Sequence, residues 1–442
     1  MARERSTLAR AHEILERALA TPRRGILRAG MVAPASTPGS AWLAWPEEAS
    51  AAYLPPEGPA LFGFGRAAEF RSSGRGIAAP LKWARAVARS GAPREESVVF
   101  CGCAFSPRGA GQGAWAGFPA LRLLLPRWTY RLEAERATLS LALTASDPAD
   151  PGGRRLHDEL DRLWAGLVRP SVAEAPPRAT LRQLPPRRWN ALAGGALRAI
   201  SSGRFEKLVP ARSAVARGAR RWEAGAVLQA LARAPGCTAF AFQEEGRSTF
   251  IGATPERLVA RSGRRLLTEA LAGTVRRGEG YLDLQTAKTV NEHELVAREI
   301  VRRLRPVCSS VSRDPAVARG LADMVHLKTR IEGRLRKNTH VLELGLRLHP
   351  TPAVSGLPTR AAVRWLDANE AEPRGWYAGF VGWFDGTGDG ELSVAIRSGL
   401  LRGKEARLFT GAGMVLGSTV AGEYDETALK QRPFLRALGM AK

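Results

Sequence analysis

The 442-residue chain predicts an α+β fold in which helices flank large, mainly antiparallel β-sheets. Short β-rich runs (KLVPARSAVA, CTAFAFQ, STFIGA, RLVARS, ELSVAIRSGLL and ARLFTGAGMVL) recur through the second half, and several meet directly at turns. That pattern favours hairpins over the strand–helix–strand alternation of a doubly wound parallel sheet. Between the runs lie stretches of helical periodicity, around residues 284–305, 315–321, 359–370 and 422–438. An apolar content of 45% is what a packed core requires, and no repeat of about 20–50 residues interrupts the pattern.

The first twenty residues, MARERSTLARAHEILERALA, alternate arginine with glutamate and read as an amphipathic helix. They hold no apolar stretch long enough for a signal peptide, and Glu4, Glu13 and Glu16 argue against an organellar transit peptide. Pro/Gly-rich stretches at 34–40 and 107–113 read as loops. Between them, residues 61–70 and 118–134 are strand-like, and 157–167 has helical periodicity. The GFG at 63–65 lacks a third spaced glycine and reads as a turn, not a phosphate loop. Four prolines in 171–188 suggest a crossing connection. Residues 1–188 are therefore expected to form an N-terminal portion and 189–442 a catalytic region, opening with an amphipathic helix over 189–207.

Composition also excludes. A net charge of +24 invites a nucleic-acid reading, but the arginines are scattered and no aromatic-interleaved basic stripe occurs, so no specific nucleic acid is expected. The surplus charge can still attract an anionic substrate. Cys101, Cys103, Cys237 and Cys308 match neither a disulfide framework nor a zinc motif, which fits a reducing cytoplasm. No apolar run is long enough for a membrane span. Oligomeric state is not legible.

Six segments carry chemistry. Lys207 opens a β-type run whose alternation puts Lys207, Val209 and Ala211 on one face: an exposed edge lysine, or a buried general base. Glu256 follows a strand end at GATP: a helix-start carboxylate, or a general acid kept protonated by an apolar pocket. Glu292 stands one turn before the apolar stripe Leu295, Val296, Ile300 and Leu304. A zinc-protease reading of His293 and Glu294 fails because position 297 is alanine. Glu292 with Glu423 and Glu426 offers oxygen ligands suited to Mg²⁺, while Glu426 and Lys430 have the spacing of a surface i,i+4 pair. Arg397 and the turn at Gly411, Ala412 and Gly413 could bind a carboxylate, or be a sheet-surface arginine and a hairpin turn.

The order of segments KLVPAR, FIGATPERL, TEALAGTVRRG, NEHELV, HLKTRIEGRL, LHPTPAVSGLP, RGWYAGFVGW, VAIRS, FTGAGMVLGS and EYDETALK resembles the chorismate-utilising enzymes over roughly residues 198–438. The resemblance implies that family's fold, chorismate as substrate and Mg²⁺ as cofactor. Lys207 looks like the water-activating base of isochorismate and salicylate synthases, where ammonia-using relatives usually have glutamine. Ala272 stands where many aminodeoxychorismate synthases carry a nucleophilic lysine. LHPTPAVSG and TEALAGT look more like isochorismate than salicylate synthases.

By the same resemblance, Glu292 and Glu423 would hold Mg²⁺, with Glu426 nearby or acting through water. Arg397, Tyr377, Lys430 and the amides of Gly411, Ala412 and Gly413 would hold the substrate carboxylates. His326 and His349 would line or brace the site, and Gly273 and Thr274 would shape the pocket beside the ring. Thr289 departs from relatives with a second acid there. The implied reaction is isochorismate synthesis: Lys207 deprotonates water attacking C2, and Glu256 protonates the departing C4 hydroxyl. No glutaminase subunit is expected. Salicylate synthesis, with pyruvate loss, is the alternative within enzymes, and a nucleic-acid-binding protein the alternative of another class. The pathway served, menaquinone or siderophore biosynthesis or salicylate, is not legible.

Overall fold

A computed structural model describes residues 2–20, 26–44, 50–74, 76–88, 97–144, 153–169, 175–183, 185–244, 248–277, 284–321 and 323–440. Parts of the 171–188 connection fall outside them. Two large sheets dominate. The larger has eleven strands, in the order Leu27–Ala33, Arg136–Leu143, Trp128–Glu133, Ala60–Phe64, Ser50–Leu54, Thr238–Glu244, Ser248–Thr254, Ser398–Arg402, Glu405–Gly411, Ala211–Gly218 and Ala179–Gln183. The smaller has ten. Nine run in the order Cys308–Arg313, Met324–Leu335, Arg265–Arg276, Arg257–Ser262, Gly390–Val394, Phe380–Phe384, Val99–Cys103, Leu121–Leu125 and Ala68–Ser72, and Val317–Leu321 also pairs with Met324–Leu335. The ladders are antiparallel, as the directly joined runs predict. Both sheets mix early and late chain: Ser50–Leu54 lies beside Thr238–Glu244, and Val99–Cys103 beside Phe380–Phe384.

Period-two alternation sorts the two faces of the larger sheet. Phe240, Phe242, Phe250, Leu400 and Phe409 join one buried cluster with Phe100, Leu123, Val259 and Phe380 of the smaller sheet, so the sheets pack face to face. The intervening Ala239, Ala241, Ile251, Leu401 and Leu408 join a second cluster with helical residues Leu15, Trp42, Leu160, Leu163 and Leu228. Inside the sandwich, Trp115 and Phe250 meet at 5.3 Å, and Phe118 and Trp376 at 5.2 Å. Such pairs add about 0.5–1.5 kcal/mol each beyond area burial. Against the strands Arg265–Arg276 and Met324–Leu335 of the smaller sheet, the helix Ala287–Leu304 buries Leu295, Val296, Ile300 and Leu304, the stripe its sequence predicts.

Three local expectations change. Residues 317–321 form a strand, not a helix: seven residues are too few for periodicity to decide, and the hairpin with Met324–Leu335 supplies a ladder. The helix opening the second half runs from Pro186 to Ser201. It stops there because Gly203 takes φ +73°, its amide donating to the Ile200 carbonyl. The run ELSVAIRSGLL is two strands in different sheets, Gly390–Val394 and Ser398–Arg402. The four cysteines are free thiols. Among the described residues no helix is long and apolar enough to cross a membrane.

Candidate active site

Two of the chain's crossings between the sheets lie at neighbouring points. Ser248–Thr254 of the larger sheet leads to Arg257–Ser262 of the smaller through Pro255 and Glu256, and Gly390–Val394 returns to Ser398–Arg402 through Ala395–Arg397. The crossings are tied together: the Ala253 amide donates to the Arg397 carbonyl (3.2 Å) and the Val394 amide to the Glu256 carbonyl (3.0 Å). Where strands leave a ladder, side chains are released into the space between the sheets. Glu256 and Arg397 therefore line the same cavity. Arg397 is thus not on a strand; it takes φ +52° at the turn between two. No helix follows Glu256, which removes the helix-start reading.

Glu256 is 4% exposed. Burial raises its carboxyl from the ordinary 4.5 to about 7, against the pull of the Lys207 and Lys430 ammonium groups. Near neutral pH it is therefore divided between its protonated and ionised forms, and it is largely protonated below that.

Lys207 is fully buried, so the exposed-edge reading also falls. Its strand is only Lys207–Leu208, ended before Pro210, and the segment is wedged between two others. Lys207–Leu208 pairs with Gly356–Leu357, the Val209 amide donates to Ser355 (3.1 Å), and Leu208 and Met414 exchange backbone bonds of 3.0 and 2.7 Å. The buried pair Glu370–Arg374 (2.5 Å) clamps the same run: Ala211 donates to Glu370, and Arg374 to the Val209 and Val354 carbonyls. KLVPAR, VSGLP, GAGM and RGWY are thus parts of one support. Lys207 Nζ donates to Glu292 Oε1 at 2.8 Å. Both lie over the backbone of Gly413, where a Cβ would come within 2.1 Å of that oxygen and 3.1 Å of Lys207 Cε, so a side chain at 413 would push Glu292 out of this position.

The three carboxylates suited to a metal are each engaged by a lysine: Glu292 by Lys207, Glu423 by Lys288 at 2.8 Å, and Glu426 by Lys430 at 2.6 Å. Among the described residues no three acidic, histidine or cysteine side chains converge as a ready-made metal cluster. Burial would raise the Glu292 carboxyl, but Lys207, Lys430 and Lys288 together hold it low. Glu423 goes the other way: burial and then the charge of Glu426 raise it, with Lys288 opposing. Its Oε2 is buried without a hydrogen bond of good geometry, Ser418 lending only weak support. An orphaned oxygen beside a like charge fits a missing cation. The Glu426–Lys430 pair expected at the surface exists but is largely enclosed, with side chains 21% and 18% exposed.

Beside an apolar wall that includes Val209, Leu271, Val354, Ile396 and Phe409, the remaining polar lining is cationic and neutral-donor in character. Lys430 Nζ donates to the Gly411 carbonyl (3.1 Å), and Tyr377 lines the wall, its hydroxyl held protonated by burial. Thr274 Oγ1 lies 3.1 Å from His326 Nδ1, and His326 Nε2 3.3 Å from Arg397 Nη2. Burial first, then Arg397 and Lys430, keep His326 neutral. Gly273 forms a bulge in its strand and lines the cavity beside Thr274. Gly411 and Gly413 line it too, but the Ala412 amide is committed to the Pro210 carbonyl (3.2 Å) and offers nothing to a ligand. His349 is not a lining residue: it packs edge-on against Phe105 and Phe380, bracing the fold behind the site. Thr286 caps the helix by accepting from the Thr289 amide, and Thr289 abuts Gly273. Sequence reading missed Lys288 and the Glu370–Arg374 clamp. Lys288 had a signal, since it stands four residues before Glu292 on one helix face.

A cavity lined by fixed cations and by a carboxyl that titrates near neutrality, with a buried amine directly behind its wall, is equipped for acid–base chemistry on a small anion. The chain belongs to the family described as chorismate-binding enzymes, whose model matches residues 55–439. It is 35% identical over 354 residues to the "Salicylate biosynthesis isochorismate synthase" of Pseudomonas aeruginosa, covering 76% of this chain and 74% of that one. It is 41% identical over 209 residues to "Isochorismate synthase MenF" of Bacillus subtilis, a match to 45% of this chain that spans only 44% of that relative. The solved structure of the menaquinone-specific isochorismate synthase MenF of Escherichia coli superposes with TM-score 0.80 and 26% identity, over 98% of this chain and 99% of that one. Anthranilate synthase component I of Streptococcus pneumoniae, at 20% identity and TM-score 0.69 over 86% and 92% of the two chains, shares the fold.

Proposed function

We propose that this chain is an isochorismate synthase that uses Mg²⁺ and adds water, not ammonia, to chorismate. The observation that carries the reading is a buried Lys207 set directly behind Glu292 and Gly413 of the cavity wall, with a buried Glu256, whose pKa is about 7, lining the same cavity. Enzymes place base and acid groups in this way to run both halves of a proton transfer near neutral pH. The names of the relatives support the same activity.

Arg397, Tyr377, Lys430 and the backbone at Gly411 and Gly413 would hold the carboxylates of chorismate, with Gly273, Thr274 and His326 shaping the pocket beside its ring. Lys207 would take a proton from the water that attacks C2. As the ring double bonds shift, Glu256 would deliver its proton to the C4 hydroxyl, which leaves as water. One water enters and one departs, so the reaction is an isomerisation between bonds of like kind. To act as base, Lys207 must first part from Glu292, to which its ammonium donates at 2.8 Å.

Mg²⁺ would be held by Glu292 and Glu423, with Glu426 nearby; when bound it supplies charge neutralisation and orientation for a substrate carboxylate. Without it, the carboxylates of enzyme and substrate repel. Turnover is therefore expected to vanish on chelation and return with added Mg²⁺; full activity in excess EDTA, with metal loss verified, would rule this out. In ¹⁸O-labelled water, the label is expected at C2 of isochorismate. A main product carrying nitrogen, from chorismate and ammonium, would overturn the choice of nucleophile.

The test of the whole reading is incubation of purified protein with chorismate and Mg²⁺, with products identified by chromatography and mass. Isochorismate without pyruvate is expected. Salicylate with stoichiometric pyruvate would move the protein to the salicylate synthases, and salt-sensitive DNA retention without turnover to a non-enzymatic class. A cytoplasmic setting is part of the proposal, supported by the free thiols.

A further inference from the structure

The lysines paired with Glu292, Glu423 and Glu426 are not equally displaceable. Together three ammonium groups and three carboxylates sum to zero charge, so an arriving divalent cation meets a site already neutralised from within. To use the Glu423 carboxylate fully, the cation must displace an ammonium. Lys207 is 0% exposed and enclosed on every side. Lys430 is 18% exposed and also bound to the Gly411 carbonyl. Lys288 differs: its side chain is 40% exposed, and among the described residues Glu423 is the one hydrogen-bond acceptor of its ammonium. It stands in the first turn of the helix Ala287–Leu304, on the face that carries Glu292, and the charges of Glu423, Glu426 and Glu292 all act on it. A flexible four-carbon stem at the rim of the site can swing into water at little cost.

We propose that Lys288 is a tethered counter-ion that occupies the Glu423 end of the metal site in the metal-free enzyme and must be displaced when Mg²⁺ loads. The residue thereby sets how tightly the free enzyme holds its metal. A tethered competitor acts at an effective concentration on the order of millimolar or above, so it weakens metal binding without touching substrate. The proposal rests on the metal reading above.

The test is calorimetric titration of MgCl₂ into the full-length protein without substrate, comparing wild type, Lys288→Met and Lys288→Arg. Lys288→Met, which keeps the stem and deletes the charge, is expected to bind Mg²⁺ at least tenfold more tightly. Lys288→Arg, which keeps the charge, is expected to stay within a few-fold of wild type. In parallel, Mg²⁺ should raise the melting temperature of Lys288→Met at lower concentration than that of wild type. Should Lys288→Met lack a cooperative melt, Lys288→Gln carries the same comparison. Equal Mg²⁺ affinity in all the proteins overturns the proposal alone and leaves the metal reading standing. No Mg²⁺ uptake by any of them, with or without chorismate, overturns both.

Discussion

Replacing Lys207 with alanine is expected to lower isochorismate formation by about 10²–10⁴-fold, the usual contribution of a positioned general base. The loss should fall on turnover, because Lys207 lies behind Glu292 and Gly413 and is not among the residues that line the cavity and would hold the substrate carboxylates. Alanine also leaves Glu292 without its 2.8 Å partner in a buried setting, so some loss of stability is expected. The sign with pH follows from Glu292, whose folded pKa is depressed below the ordinary 4.5. Such a group contributes stability that is present above about pH 4.5 and lost as pH falls through its folded value. The melting temperature of Lys207→Ala should therefore lie furthest below wild type near neutrality and converge on it in acid. Lys207→Gln separates chemistry from structure, since its amide can still donate to Glu292. A Lys207→Gln protein that melts like wild type and turns over like wild type would show that position 207 supplies no base.

Much of this site was legible in the sequence because the residues that support it are contiguous with those that act. Lys207 belongs to a run held between VSGLP and GAGM, and each of those segments carries its own unusual residue types. What the sequence could not show was where strands change sheets. ELSVAIRSGLL reads as one β-run, yet it breaks at Ile396 and Arg397, and the break puts Arg397 in the cavity. Proline 255 was a visible sign of the matching break before Glu256, since proline cannot donate to a ladder. Burial was equally hidden: taken alone, Lys207 and Glu256 each had an ordinary surface explanation, and tertiary packing removes both. The committed amide of Ala412 is a departure of the opposite kind, and of the two places expected for His349 the packing leaves the one behind the lining. There the resemblance carries a motif correctly to its place, while each atom's hydrogen bonds depend on neighbours far away in the chain.

Glu256→Gln should lose about as much activity as the lysine variants, yet hold its fold as well as wild type or better in mild alkali. Glutamine keeps the size and hydrogen-bonding capacity of the side chain and removes the transferable proton, so chorismate should bind and the C4 hydroxyl should fail to leave. The stability argument starts from the raised pKa, from 4.5 to about 7. A carboxyl raised in the folded state contributes stability that is fully present below about pH 4.5 and is lost as pH rises through about 7. The difference corresponds to roughly 3 kcal/mol of burial cost for the ionised form above that pH. Glutamine never ionises, so the variant should lack this term, and its melting temperature relative to wild type should rise between pH 5 and pH 8. Wild-type kcat/KM should fall over the same interval, because the ionised carboxylate has no proton to give. The two readouts move in opposite directions only if one buried group governs both. A folded Glu256→Gln protein with near-wild-type turnover would remove the proposed general acid, and an unchanged stability difference across that pH range would show that Glu256 is ionised throughout.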